Sequence, residues 1–493
     1  MSVLHPNLDA AGKVPAPKMT SVSTLISRSD HIPLAQKVLF SAGSMMDFAS
    51  TGLVTSVLWM PYFNIGLGIS PALLGVILMV LRGWDAFVDP VMGNLSDNAR
   101  TRWGRRRPFM AVGALLTAIL FPLIWRVPPG LHTTGQALYL CIVGMVFFAA
   151  FSCWSMPYYG MQLELTPNYD ERTRLMAWGA FFSKIIAFLG GWTMAVVTGK
   201  WFADAATGRP DIVAGVKVCS IFIAVIIAAI GLLPALFVRE RYYAAEASHQ
   251  EKEPLWQSLR ESMQCGPLWI LIAISFFLLL GSSMIATLGQ YVNIYAVNHG
   301  QLAYASVVAG WISSGTFITG MVSIPFWTWM GEKFDKKTIV GVLLGGSVFG
   351  HLLNFFCLRP DLPYLQIIPA MFLSMVYAAV WLFLPSMKAD IADYDELRTM
   401  RRREGSLNAF YSWFCKAAMT LALGLGGLAI QATGFHAALP EQSPEVLQRM
   451  KWIYLLLPAA IWSVPIVFIR LYPLNRERMA EIRSELEVRR GRL

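Results

Sequence analysis

Apolar runs recur along the chain at about 36–62, 70–93, 108–126, 137–165, 173–198, 212–238, 267–295, 302–330, 338–357, 363–387, 407–432 and 450–472, separated by short polar stretches. A helix needs about 20 apolar residues to cross the hydrocarbon of a bilayer. The pattern therefore predicts an all-α membrane protein of twelve transmembrane helices, several long enough to tilt. The longest polar interval, Arg239 to Gly266, falls between the sixth and seventh runs. Its Glu, Lys, Ser and Gln content and Pro254 mark a linker. The expected organisation is two six-helix bundles, 34–238 and 267–473, with a linker at 239–266 and polar tails at 1–33 and 474–493.

Composition agrees. Only 14% of the 493 residues are charged, against about a quarter in a soluble domain. A net charge of +10 is in the range of nucleic-acid binders, but the basic residues sit in short loops between apolar runs and form no basic domain, which argues against a nucleic-acid partner. Arg100 to Arg107 holds five of them, Arg398 to Arg403 four and Arg476 to Arg492 six, whereas the stretch between Phe63 and Pro71 has none. The positive-inside rule then puts both termini in the cytoplasm of a multi-pass cell-membrane protein, the inner membrane in a Gram-negative bacterium. No apolar leader precedes Val38, so the first span is expected to act as an uncleaved insertion signal. The six cysteines lack CxxC spacing and read as membrane-core residues, with no metal site or cofactor expected. HExxH, GxSxG and Walker sequences are missing from any catalytic context, which argues against an enzyme.

Two features carry chemistry. Gly93-Asn94-Leu95-Ser96-Asp97, followed by Arg105-Arg106-Arg107, recurs after the eighth run as Gly331-Glu332-Lys333-Phe334-Asp335, followed by Lys336-Lys337. The glycines would allow tight exits from their helices, and the aspartates could meet a helix N-terminus or a base. Two GxxxD loops at matching places indicate an internal repeat, which puts a substrate site at mid-membrane between the halves. The second feature is Asp85 and Asp89, four residues apart and so on one helical face. A charge at mid-bilayer costs roughly 2.5 to 3.5 kcal/mol on insertion scales, and such residues usually mark ion or proton paths. The bland alternative is a structural ion pair with Arg82 or Lys416.

The repeated loops resemble the signature of the major facilitator superfamily. Within it, Arg82-x-x-Asp85-Ala86-x-x-Asp89-Pro90-x-x-Gly93, Thr101-Arg102-Trp103-Gly104-Arg105-Arg106-Arg107-Pro108 and Ala389-Asp390-Ile391-Ala392-Asp393-Tyr394-Asp395-Glu396 resemble the glycoside–pentoside–hexuronide:cation symporters, of the melibiose-permease type. The resemblance runs from Leu34 to about Tyr472. It implies that Asp85 and Asp89 bind the coupling cation, with Lys416 beside them, and that Asp47 and Trp381 contact substrate. It also implies that Gly93, Asp97, Arg105, Arg106, Gly331 and Asp335 serve conformational change. The departures are informative. Ser155 stands where the family pattern has a fourth-helix aspartate, Val88 replaces an asparagine, Ala180 a sugar-binding arginine, Tyr159 a tryptophan and Met46 a lysine. Fewer oxygen ligands favour H⁺ over Na⁺, although a Na⁺ at Asp85 and Asp89 remains the alternative. Lys184, one turn beyond Ala180, is expected to restore a cation to the cavity and to pair with Asp47 or with an anionic group on the substrate.

The resulting expectation is a monomeric secondary importer of a glycoside, oligosaccharide or sugar acid. Two alternatives stand beside it: the same fold carrying an amphipathic or aromatic solute or a lysolipid, and a sensor without flux.

Overall fold

The computed structural model describes residues 32–165, 169–205, 208–238, 263–399, 404–437, 439 and 441–490. Among these there are helices and no strands. Eleven helices are long and apolar enough to cross a membrane. The twelfth span, α1 (residues 34–66), is interrupted: Leu34–Ala42 gives way at Gly43 and Ser44 to Met45–Asp47, then to π-helical turns at Phe48–Leu58 and Pro61–Gly66. The others in the first half are α2 (Pro71–Asn98), α3 (Arg107–Ile124), α4 (Thr133–Glu164), α5 (Tyr169–Val197) and α6 (Ile212–Phe237). The second half has α7 (Gly266–Tyr291, continued by π-helical Val292–Val297), α8 (Leu302–Lys333), α9 (Lys336–Leu352), α10 (Ile367–Thr399), α11 (Glu404–Ala432) and α12 (Pro444–Leu471), followed by α13 (Arg476–Arg490).

The halves repeat one packing plan. In the first, α3 packs on α4 and α6, α2 on α4, and α1 on α5 and α6. In the second, α9 packs on α10 and α12, α8 on α10, and α7 on α11 and α12. The chief contacts between halves are α2 with α11 and α5 with α8, which the repeat also interchanges. The matching loops share a detail as well. Arg107 donates to the Ala235 and Leu236 carbonyls at the end of α6 (2.7 and 2.8 Å), and Lys337 donates to the Tyr472 carbonyl at the end of α12 (2.7 Å). Each base neutralises the negative end of a helix dipole and satisfies carbonyls the helix cannot.

The structure corrects several expectations. Gly93 and Gly331 lie inside helices that run on to Asn98 and Lys333, so neither is an exit. A Cβ at Gly331 would sit 2.8 Å from the Phe383 ring, so this glycine admits α10 closely, while one at Gly93 would meet open space. The left-handed turn of the loop falls instead at Gly104, with φ of +105°. Helix α10 runs twelve residues past the apolar stretch ending at Met387, because Asp390 and Asp395 are matched by Lys336 (2.6 Å) and Arg398 (3.2 Å). Helix α13, in the tail expected at 474–493, buries Met479, Ile482 and Leu486 in the core of the second half. The tail 1–31, the linker residues 239–262 and the side chain of Asp97 lie outside the described residues.

Candidate functional site: a charged cleft between two bundles

The core shows where the halves meet. One buried cluster runs without break from the first half into the ends of α7 and α11, through Met284, Leu288, Ala422 and Ile430. A separate cluster serves the opposite end of the second half. The junction therefore lies toward the face carrying the α1–α2 and α7–α8 loops. Small residues let backbones approach there: a Cβ at Gly427 would lie 2.3 Å from the Pro71 carbonyl oxygen, and one at Gly191 would lie 2.2 Å from Ser313. Polar bonds cross at the same level, from Gln290 to the Ser56 carbonyl (2.7 Å), Tyr291 to Asn64 (2.8 Å), Trp192 to Ser314 (3.1 Å) and Ser70 to Gln431 (3.0 Å). Toward the other face, where α1 starts and α12 ends, Asp47, Tyr159, Lys184, Trp381 and Lys416 are exposed although they lie inside spans.

Arg82, Asp85 and Asp89 follow 0, 3, 7 spacing and occupy one face of α2. Arg82 donates to Asp85 Oδ2 (3.1 Å), and the Ser152 hydroxyl of α4 donates to Asp85 Oδ1 (3.1 Å). Asp89 pairs with Lys416 of α11, so this ion pair joins the two halves. Both carboxylates are only 9% exposed, whereas the Lys416 side chain is 46% exposed. Each acid is thus held in a dry place by one base, the lowest-cost way to keep such charges in a membrane protein. Pro90 removes the donor that the Ala86 carbonyl would otherwise receive within α2.

Asp47 faces the cleft where α1 changes winding. Its carboxylate accepts from the Tyr159 hydroxyl (2.6 Å) and from Thr51 (3.3 Å). Tyr159 is aimed by its neighbour: Tyr158 stacks between Phe40 and Trp154, both at 4.6 Å, and donates to the Phe40 carbonyl (3.1 Å). A Cβ at Gly43 would press on Tyr158 at 2.8 Å, so the break in α1 also lets it lie against α4. Ser152, Ser155 and Tyr159 share one face of α4, between the Asp85 and Asp47 clusters. The Ser155 hydroxyl is buried and makes no hydrogen bond among the described residues.

Lys184 has no ion-pair partner among the described residues, and the expected pair with Asp47 does not form. The face of α5 toward α1 is the one with Gly179, whose carbonyl accepts from Ser44 (2.8 Å), and Gly190, which covers Phe48. Lys184 lies one turn before Phe188, on the face where Phe188 meets Phe317 of α8 (5.4 Å). It therefore points to the α5–α8 side of the cleft. Trp381 is 59% exposed and shares a face of α10 with Pro385 and Lys388. Arg105 and Arg106 are buried, and the Arg106 guanidinium lies where a Cβ on Gly160 of α4 would stand, so this part of the basic run is tucked under α4 and away from lipid headgroups. Asp335 stands at the N-cap position of α9 without a side-chain cap bond. Ser152 was missed by sequence reasoning: its three-residue offset from Ser155 puts both on one face of α4 but does not say which helix that face meets.

Two six-helix bundles related by a repeat, with a charged cleft between them, define a secondary transporter of the major facilitator type. The chain matches the model of the family described as MFS/sugar transport protein over residues 40–476. It belongs to that family, in keeping with the resemblance to cation symporters read from its motifs. It is 27% identical to an uncharacterized symporter of Synechocystis sp., over 86% of this chain and 91% of that protein. It is 23% identical to the sodium-dependent lysophosphatidylcholine symporter 1 of Gallus gallus, over 93% and 90% of the two chains. Among solved structures, a D-xylose-proton symporter superposes with a TM-score of 0.61 at 14% identity, covering 88% of this chain and 96% of its own, a likeness of fold. The matched family and these relatives are transporters, and the chain is a multi-pass membrane protein.

Proposed function

We propose that this protein is a cation-coupled symporter importing a sugar or glycoside-type solute by alternating access of the bundles 34–238 and 267–473. The observation that carries the reading is the ion pair between Asp89 and Lys416, because it ties a titratable group to a contact between the halves. Protonating Asp89 removes the charge that holds Lys416 and loosens this contact between α2 and α11, and releasing the proton restores it. Asp85, held by Arg82 and Ser152, is the second coupling acid, with Ser155 lining the space between it and Asp47. H⁺ suits this arrangement better than Na⁺, since each acid already has a base and a sodium ion would have to displace it. The sodium-dependent relatives keep Na⁺ as the second candidate.

Asp47 and Tyr159 would accept and donate hydrogen bonds to hydroxyl groups, Trp381 would offer an apolar wall to a ring face, and Lys184 would meet a polar or anionic group. The basic loops of the α2–α3 and α10–α11 turns favour a cytoplasmic location for the open side, with both termini there. Arg105 and Arg106 with Gly93 and Asp97, and Gly331 with Asp335, would act at that side as the elements that rearrange when it closes. We assign one copy as the working unit and no catalytic residue or cofactor. An amphipathic cargo is the second reading, favoured by the lysophosphatidylcholine relatives and by the exposed Phe181 beside Lys184.

Proteoliposomes under an imposed inward proton or sodium gradient, offered a panel of labelled sugars and lysolipids, test the proposal. Uphill uptake of a glycoside that collapses with the gradient is expected, and lost in Asp85→Asn and Asp89→Asn. Accumulation indifferent to both gradients, or undiminished in both variants, would overturn it.

A further inference from the structure

Lys388 of α10 differs from the other lysines that hold the bundles together. Lys37 binds Glu171 (2.6 Å), Lys336 binds Asp390 (2.6 Å) and Lys416 binds Asp89. Lys388 is half-buried and touches only neutral groups among the described residues. Its ammonium donates to Asn408 Oδ1 and lies 5.0 Å from the centre of the Tyr411 ring, both on α11. Tyr411 is itself fixed by a hydroxyl contact with Ser275 of α7 (2.7 Å). Of the acids that follow along α10, Asp390 pairs with Lys336 and Asp395 with Arg398, while Asp393 and Glu396 have interactions of their own. An amide oxygen and a ring face position an ammonium and lower its cost of burial, but they leave its full charge uncancelled.

The position is equally specific. Trp381 and Lys388, seven residues apart, lie on the same face of α10. Asn408 is eight residues before Lys416 on α11, about 12 Å along the axis. Lys388 therefore stands on the wall of the same cleft, toward its open end. With Asp85 and Asp89 each matched by a base, Asp47, Lys184 and Lys388 are left among the described residues of the cleft, an excess of positive charge on the α5 and α10 side.

We infer that Lys388 is a specificity-determining residue that recognises an anionic group of the transported solute, so that the preferred cargo is a monoanion whose hydroxyl or other donor groups reach Asp47. The inference rests on the transport reading and narrows its substrate class. The lysine is held ready by Asn408 and Tyr411, and the solute supplies the counter-charge that the described residues around it do not.

The test uses matched pairs of neutral and anionic probes on the purified full-length protein: glucose with glucuronate, galactose with galacturonate, and octyl glucoside with octyl glucuronide. Binding is read by thermal shift and by quenching of tryptophan fluorescence. At least one anionic member is expected to bind better than its neutral partner. Lys388→Gln, which keeps a donor for Asn408, should weaken that anion by roughly ten- to a hundred-fold and leave the neutral partner unchanged. Asn408→Asp supplies an internal carboxylate and should erase the same preference even if the first variant folds poorly. Equal binding within every pair, no binding by any anionic probe, or unchanged anion affinity in both folded variants would overturn the inference. Gradient-driven uptake of a neutral solute would then still support transport, whereas loss of gradient dependence would strike at transport itself.

Discussion

The two bundles have one architecture and different chemistry. Helices α3 and α9 each seat a base under the end of the last span of their half, and α1 and α7 each end in π-helical turns, at Pro61–Gly66 and Val292–Val297. The first half brings the carboxylates Asp47, Asp85 and Asp89 to the cleft, together with the bases Arg82 and Lys184. From the second half come the ammonium groups of Lys388 and Lys416. The difference teaches that the repeat governs how helices pack, whereas the cleft's charge is set half by half. Asp89 and Lys416 are where the two sets of chemistry touch.

The largest effect should come from separating that contact. Lys416→Ala leaves Asp89 as a charge in a dry site; because Lys416 is 46% exposed, the cost should fall at or below the lower end of the roughly 3–5 kcal/mol for breaking a fully buried pair. Thermal denaturation of the purified variant should show this loss. The double variant Asp89→Asn, Lys416→Met should recover most of it while still failing to accumulate solute. A double variant no more stable than Lys416→Ala would mean that the pair is not the source of the cost.

Wedging the closed junction comes next. Gly427→Val drives a side chain into the Pro71 carbonyl and Gly191→Val drives one into Ser313, and overpacking of this kind costs about 1–3 kcal/mol. The strain falls on a state in which the halves touch, so these variants should favour the opposite state. A cysteine placed at Ser56, next to the Gln290 bond, should then react faster with a membrane-impermeant thiol reagent. Unchanged reactivity in both would indicate that this level is not a gate.

Lys184→Ala should leave stability intact, because the lysine has no partner to orphan, and should weaken binding of any transported solute. A folded variant with unaltered affinity removes Lys184 from the recognition surface. The smallest effect should be the symmetric one: Arg107→Ala and Lys337→Ala should each cost about 0.3–2 kcal/mol, through lost contacts to helix ends. The two sites serve separate halves, so the costs should add within about 0.5 kcal/mol in the double variant. Unequal or strongly coupled losses would break the equivalence of the halves.

Much of the fold was legible because a bilayer enforces long apolar runs: the twelve spans, the division near the linker and the repeat all follow from spacing and loop charge. What was hidden depended on contacts between distant segments. The run of α10 beyond Met387 is polar, and it is helical because Lys336 and Arg398 answer its acids. Lys388 therefore looked like the edge of a span when it lies on a cleft wall. Asp85 and Asp89 could be picked out from their four-residue spacing, but the bond from Ser152 could not, since only the packing of α4 on α2 aims its hydroxyl at Asp85. Likewise Lys184 was legible as a cation inside a span, yet which face of α5 meets α1 is settled by Gly179 and Gly190.

In the proposed mechanism the Asp89–Lys416 contact is a cation-sensitive bond between the halves. Spin-label distances across the open end of the cleft, measured against pH and Na⁺ in wild type and Asp89→Asn, test it most directly. The account predicts that acidification, or failing that Na⁺, shifts the wild-type distance distribution, and that Asp89→Asn is fixed in the shifted distribution under every condition. A variant that responds as the wild type does, or a wild type that responds to neither cation, would contradict it.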